Sequence, residues 1–151
     1  MQTHGHGPAP GPTVDGPCQV KFMFTVFTCG FCRSNTRIRS VVLDRAGRIW
    51  VTDPRYGGDH SDRELDHDSV YRITPSATGE GPWEIERLTF DTTRPNGLLL
   101  SWDERTLFLA QSDYDAGSVR QLRAYPIGSD GTLDAFTVLH DFGEARGIDG
   151  M

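Results

Sequence analysis

The sequence predicts an all-β protein built from repeated four-stranded antiparallel units, and three observations predict it. From Ser40 onward the apolar runs are short, split by Gly, Asp, Asn and Pro, and show no helical period. The strand-like segments fall into two successive sets of four in the same order. Corresponding residues recur at offsets of 57 for Val41 and Leu98, 54 for Tyr71 and Tyr125, and 50 for Trp83 and Leu133, a spacing that signals stacked supersecondary units.

Each element has its own signal. Val41 to Leu43 and Arg48 to Thr52 flank Asp44-Arg45-Ala46-Gly47, a turn ending in Gly, and so form a hairpin closed by Asp53-Pro54. Ser69 to Thr74 is a third strand stopped by Pro75, and Trp83 to Phe90 alternates as a fourth. The second set runs Gly97 to Ser101, a turn at Trp102 to Arg105, Thr106 to Gln111, Val119 to Ile127, a turn at Gly128 to Gly131, and Leu133 to Phe142. Asp149-Gly150-Met151 repeats Asn96-Gly97-Leu98 at an offset of 53 and marks the start of a third unit. Four-stranded sheets at this spacing resemble β-propeller blades, and the fold expected is a partial six-bladed propeller with about two blades and the beginning of a third. A plain eight-stranded β-sandwich has the same strand count.

The chain divides into a head at residues 1–35 and a body at residues 36–151. The head is rich in Gly, Pro and His to Gly16 and is expected to be poorly structured. Val20 to Cys32 has strand composition but no hairpin partner. The apolar run Phe22 to Cys32 has the length of a signal-peptide core, yet it lies far from the N-terminus and lacks a small-residue cleavage site, which favours a cytoplasmic location. Cys18, Cys29 and Cys32 all sit in the head, so no disulfide framework holds the body. The Cys29 to Cys32 spacing is that of a redox dithiol or half a zinc site, but no second pair follows, and incidental cysteines are the expectation. His4 and His6 read as a solvated tail.

The formal net charge is −6, with Lys and Arg scattered singly, which argues against nucleic acid and anionic membranes as partners and suits a hard cation. No run approaches the roughly 18 apolar residues of a membrane span. His60 and His67, among Asp59, Asp62, Asp66 and Asp68, read as an acidic surface loop.

VTDPRYGGD (Val51 to Asp59), DHDSVYRI (Asp66 to Ile73), RPNGLLLSWDERTLFLA (Arg94 to Ala110), RQLRAYPIG (Arg120 to Gly128) and RGIDGM (Arg146 to Met151) occur in an order and spacing that resemble the gluconolactonase/regucalcin family, which includes senescence marker protein and luciferin-regenerating enzyme relatives. The resemblance covers Ser40 to Met151. It implies a six-bladed propeller that binds a divalent cation in its central channel and hydrolyses lactones, of which this chain is a truncated member. The cation implied is Ca2+, with Mg2+, Mn2+ and Zn2+ as alternatives, and the implied partner of the full-length parent is a small-molecule lactone.

By the same resemblance, Asn96 matches a metal-binding asparagine, and Asp149 a metal-binding aspartate that also helps activate water. Both precede an inner strand by one glycine, so in a propeller they emerge from neighbouring blades near one axis. An Asx turn at Asn96 and a loop carboxylate at Asp149 are the plainer readings. Asp53 matches an aspartate that binds an additional metal in some relatives, or it caps a turn. Tyr56, with Gly57 and Gly58, borders the substrate mouth or belongs to a flexible loop.

The chain also departs from the family pattern. Where Pro-Asn-Asp is usual it has Ile38-Arg39-Ser40, and Arg39 cannot ligate a cation. The metal-binding glutamate of the first blade is missing; Asp15-Gly16-Pro17 echoes it but lies too near Asn96 along the chain. Two expectations follow from different classes. One is a calcium-dependent lactonase; the other is a non-catalytic propeller fragment that binds metal weakly or serves as an interaction surface. Open sheet edges make self-association an expected behaviour.

Overall fold

The computed structural model describes residues 38–56, 61 and 65–151. The head, its three cysteines, His4, His6, the segment Val20 to Cys32, and Gly57, Gly58, Asp59, His60 and Asp62 lie outside the described residues.

Among the described residues eight strands are present: β1 (Ser40–Leu43), β2 (Ile49–Asp53), β3 (Ser69–Thr74), β4 (Glu84–Arg87), β5 (Pro95–Leu100), β6 (Thr106–Ser112), β7 (Arg120–Pro126) and β8 (Thr137–Asp141). They form two antiparallel sheets with strands in sequential order, β1-β2-β3-β4 and β5-β6-β7-β8. No strand is exchanged between the sheets, as it would be in a Greek-key sandwich. No helix among the described residues is long and apolar enough to cross a membrane.

The predicted fourth strand, Trp83 to Phe90, is shorter than expected. It leaves the ladder after Arg87, so that Leu88 buries its side chain while Phe90 stands 76% exposed. The predicted eighth, Leu133 to Phe142, is interrupted. Leu133 makes an isolated bridge to Ile127, and the ladder resumes at Thr137 with an irregularity between Leu122 and Arg123 of β7. No strand marks the expected start of a third unit, since Asp149 to Met151 are in no regular element.

The two sheets stack front to back. Alternation sends residues i and i+2 of a strand to one face. In the second sheet Leu98, Leu107, Leu109 and Tyr125 turn toward the first, where they meet Trp50, Val70 and Leu88. The cross-strand register makes Val41, Ile49, Val51 and Ile73 the counterparts of Leu98, Leu107, Leu109 and Tyr125. Those first-sheet residues point the other way, where Ile49, Val51 and Ile73 form a separate cluster with Tyr71 and Trp83. The two units are therefore related by a repeat operation, each showing its front to the back of its neighbour.

This register also corrects one sequence pairing. Tyr71 lies opposite Val51 whereas Tyr125 lies opposite Leu107, so Tyr125 corresponds to Ile73, and Tyr71 to Arg123. The sequence alignment was out by two residues, an even slip that leaves every side chain on its proper face.

The interface between the sheets is apolar inside and polar at its outer end. Trp50, Val70, Leu98, Leu107 and Leu109 are all essentially inaccessible, and each contributes about 1.5–3 kcal/mol of burial. At the outer end Arg45 donates through its backbone N to Glu104 Oε1 (2.8 Å) and through Nη2 to the Trp102 carbonyl (2.6 Å), tying one hairpin turn to the next. Arg72 Nη1 donates to the Gly131 carbonyl at 2.5 Å, and its guanidinium lies over the Trp50 ring. Gly131 has φ +82°, and a Cβ there would overlap Arg72 Nη1, so both its conformation and its space require glycine.

Candidate functional site

Asn96 is brought to its position by a β-bulge. Pro95 pairs with Gln111 and Leu98 with Leu109, so Asn96 and Gly97 together oppose Ala110. A bulge leaves backbone groups off the ladder and re-aims a side chain. Here the first sheet satisfies them: Thr52 Oγ1 donates to the Asn96 carbonyl (2.7 Å), and the Leu98 N–H donates to Ser40 Oγ (3.1 Å). Ser40 N donates in turn to Thr52 Oγ1 at 3.0 Å, which locks β1, β2 and the bulge together.

Asp149 arrives from the far end of the chain. Ser112 Oγ, buried at the end of β6, donates to the Ile148 carbonyl at 2.6 Å and sets the approach of the segment. Asn96 Nδ2 then donates to Asp149 Oδ1 at 2.9 Å across 53 residues of sequence. Asn96 is 4% exposed whereas Asp149 faces solvent. Gly97 permits this approach, because a Cβ on it would lie 2.9 Å from Met151 N and 3.0 Å from the Gly150 carbonyl carbon. The constraint is space alone.

Tyr56 stands beside this pair. Burial, with the Asp149 charge among the lesser influences, pushes its phenol up to about 12 despite the opposing pull of Arg39 and Arg94. Its hydroxyl is buried and meets no hydrogen-bond partner among the described residues. The Arg39 guanidinium lies 4.8 Å from the ring centroid and that of Arg94 5.8 Å from it. Arg94 is held by Asp113 (3.3 Å) and Asp115 (2.8 Å). Burial works against ionisation of Asp113, yet bonds from Thr93, the Asp115 backbone and Ser118, together with Arg94, hold its carboxyl below the usual range.

Asp53 ends β2 opposite Ser69, and its charge helps burial raise the Tyr71 phenol on β3. The described residues hold no group of three or more His, Cys, Asp or Glu able to bind a metal, so Asp53 does not join Asp149 in such a set. His67 connects Asp66 (Nδ1 to Oδ1, 2.6 Å) with the Tyr71 hydroxyl (Nε2, 2.8 Å). Asp66 is exposed as expected, but Asp68 corrects the surface reading of this loop. It is 5% exposed, drawn in directly before β3 where its carbonyl accepts from Thr92 Oγ1.

Residues 24–151 match the SMP-30/Gluconolactonase/LRE-like region. The chain belongs to that family. A gluconolactonase of Zymomonas mobilis subsp. mobilis is 30% identical over 127 residues, covering 71% of this chain and 33% of that protein. The chain thus spans about a third of the length of this family relative. Within the family frame, the structure unites Asn96, Asp149 and Tyr56 in one place, and Asp53 stands at the end of β2. It adds Arg94 and the acidic pair that anchors it, whose roles no sequence motif signalled. The one clue lay in Arg39, visible as a departure from the family pattern.

Proposed function

We propose that this chain supplies part of the centre of a calcium-dependent sugar lactonase of gluconolactonase type, within a six-bladed propeller. The observation that carries the reading is the 2.9 Å bond from Asn96 to Asp149, two side chains from equivalent places in successive units. The front-to-back stacking of the sheets supports it, since that operation, repeated, is how blades surround an axis.

The donor chemistry suits a hard cation: an amide oxygen at Asn96 and a carboxylate at Asp149, with water completing the six to eight oxygens that calcium takes. Holding an ion would exchange the Asn96 to Asp149 hydrogen bond for two oxygen contacts. When bound, the ion supplies Lewis acidity to a lactone carbonyl. The chain's own residues do the rest. Asp149, solvent-facing, accepts a proton from the attacking water. Tyr56, its hydroxyl buried, borders the substrate mouth with its ring.

A second reading is a non-catalytic fragment with weak metal affinity, or one that pairs with another chain. It is favoured by the donor count, since Asn96 and Asp149 alone supply two of the oxygens required. Calcium titration by calorimetry, beside pH-stat hydrolysis of gluconolactone, separates the two. Weak calcium binding abolished by Asp149→Ala, with no turnover above background, is the result expected of the 151-residue chain. Turnover that chelator and Asp149→Ala both abolish would establish this chain as a lactonase in its own right. Calcium binding indifferent to Asp149→Ala removes the site altogether.

A further inference from the structure

Arg39 occupies a place that the lactonase reading leaves without a task. Its backbone is fixed, because its N–H donates to the Thr52 carbonyl at 3.1 Å, and Thr52 carries the bulge that holds Asn96. Its guanidinium rests on the Tyr56 ring, whose hydroxyl feels Arg39, Asp149 and Arg94 together. The two arginines differ in one respect. Arg94 is 12% exposed and spent on Asp113 and Asp115. Arg39 is exposed, and no carboxylate among the described residues lies within ion-pair distance of it.

A guanidinium stacked on an aromatic face keeps its N–H donors in the plane of the stack, directed outward past the ring. That plane is free to receive a planar oxyanion through two parallel hydrogen bonds. Tyr56 restricts the motion of the arginine side chain, which reduces the entropy lost when an anion is captured. Arg94 keeps a second positive charge near the ring, held by Asp113 and Asp115.

We propose that Arg39 and Tyr56 form an anion-binding subsite beside the Asn96–Asp149 pair, suited to a carboxylate carried by the sugar ligand. The inference rests on the lactonase reading for the identity of the ligand and deepens it. It selects acidic sugar lactones, which bear a carboxylate besides the reacting ester, over neutral ones. Ring opening of such a lactone yields a dicarboxylate, so the product engages Arg39 through one carboxylate while the new one lies at the reacting centre.

The test is equilibrium binding to the 151-residue chain without added metal, using glucarate (two carboxylates), gluconate (one) and sorbitol (none). Glucarate is expected to bind more tightly than gluconate, sorbitol not at all, and added salt to weaken the anions. Arg39→Gln should cost glucarate about tenfold in affinity, as expected for the loss of a charge-assisted hydrogen bond. Arg39→Lys, which keeps the charge without the fork, should recover part of it. Circular dichroism of each variant confirms that the exposed substitution leaves the fold intact. Equal binding of sorbitol and glucarate, glucarate affinity unchanged in Arg39→Gln, or no glucarate binding at millimolar concentration overturns the proposal. Failure of the lactonase reading looks different, because it appears as calcium binding indifferent to Asp149→Ala while the preference for anions survives.

Discussion

Replacing Gly97 with alanine isolates the contact on which the site depends. The added methyl would meet Met151 N at 2.9 Å and Gly150 carbon atoms at 3.0 and 3.1 Å, all of them backbone, so no side-chain rotation relieves it. Either β5 shifts or the segment from Ile148 to Met151 does. β5 is held by the ladder to β6 and by the apolar interface, whereas the segment is anchored by Ser112 to the Ile148 carbonyl and by Asn96 to Asp149. The segment therefore yields. The cost is that of overpacking, about 1–3 kcal/mol, reduced toward about 1 kcal/mol because the displaced segment is solvent-exposed and moves as a unit. For a body of this size that is a fall of about 4 °C in Tm. The informative readout is local. The Asn96 side-chain amide signals in a nitrogen–proton correlation spectrum should move to values of a free amide, and calcium affinity should fall with them. Gly150→Ala is the control, since a Cβ there finds open space. Unchanged Asn96 signals in Gly97→Ala, or equal damage from Gly150→Ala, would refute the packing argument.

Asp44 should govern the acid limb of stability. Burial resists its ionisation, but bonds from Trp50 Nε1 (2.9 Å) and Arg48 overcome this and lower its carboxyl below the ordinary value. A carboxyl depressed by folding stabilises fully above its unfolded value, about 3.9, and loses that contribution as pH falls through the folded value. Asp44→Asn should cost about 2–3 kcal/mol near neutrality and flatten the acid limb in denaturant melts from pH 7 to pH 2. Gly131→Ala should cost about 2–4 kcal/mol, combining an unfavourable positive φ with expulsion of Arg72 from its carbonyl partner; thermal unfolding measures it, and Arg72→Ala in the same background should add little.

Much of the architecture was legible in the sequence because each strand carried its own punctuation. Asp44 to Gly47, Pro75 and Gly128 to Gly131 marked ends that the structure respects. The less legible parts were set by tertiary contacts. Nothing local in Trp83 to Phe90 says that Phe90 will leave the ladder, and nothing in Thr137 to Asp141 foretells the irregularity opposite Leu122. Asn96 and Asp149 were readable as a pair through their shared glycine context, which the bulge and the Gly97 contact explain. Arg94 was not readable as a held charge, because its partners Asp113 and Asp115 belong to the loop after β6, far along the chain. Asp68 was misread because an acidic stretch suggests solvent, whereas position directly before a buried strand drew it inward.

Front-to-back stacking gives the molecule polarity, like a brick with a stud on one side and a socket on the other. Contacts of that kind never saturate by pairing two identical surfaces; they propagate in one rotational sense until a ring shuts or an open chain results. Whatever abuts the outer side of the second sheet must accordingly present a surface of the first sheet's forward kind. The spacing of successive units, more than any individual side chain, thereby decides whether growth ends in closure.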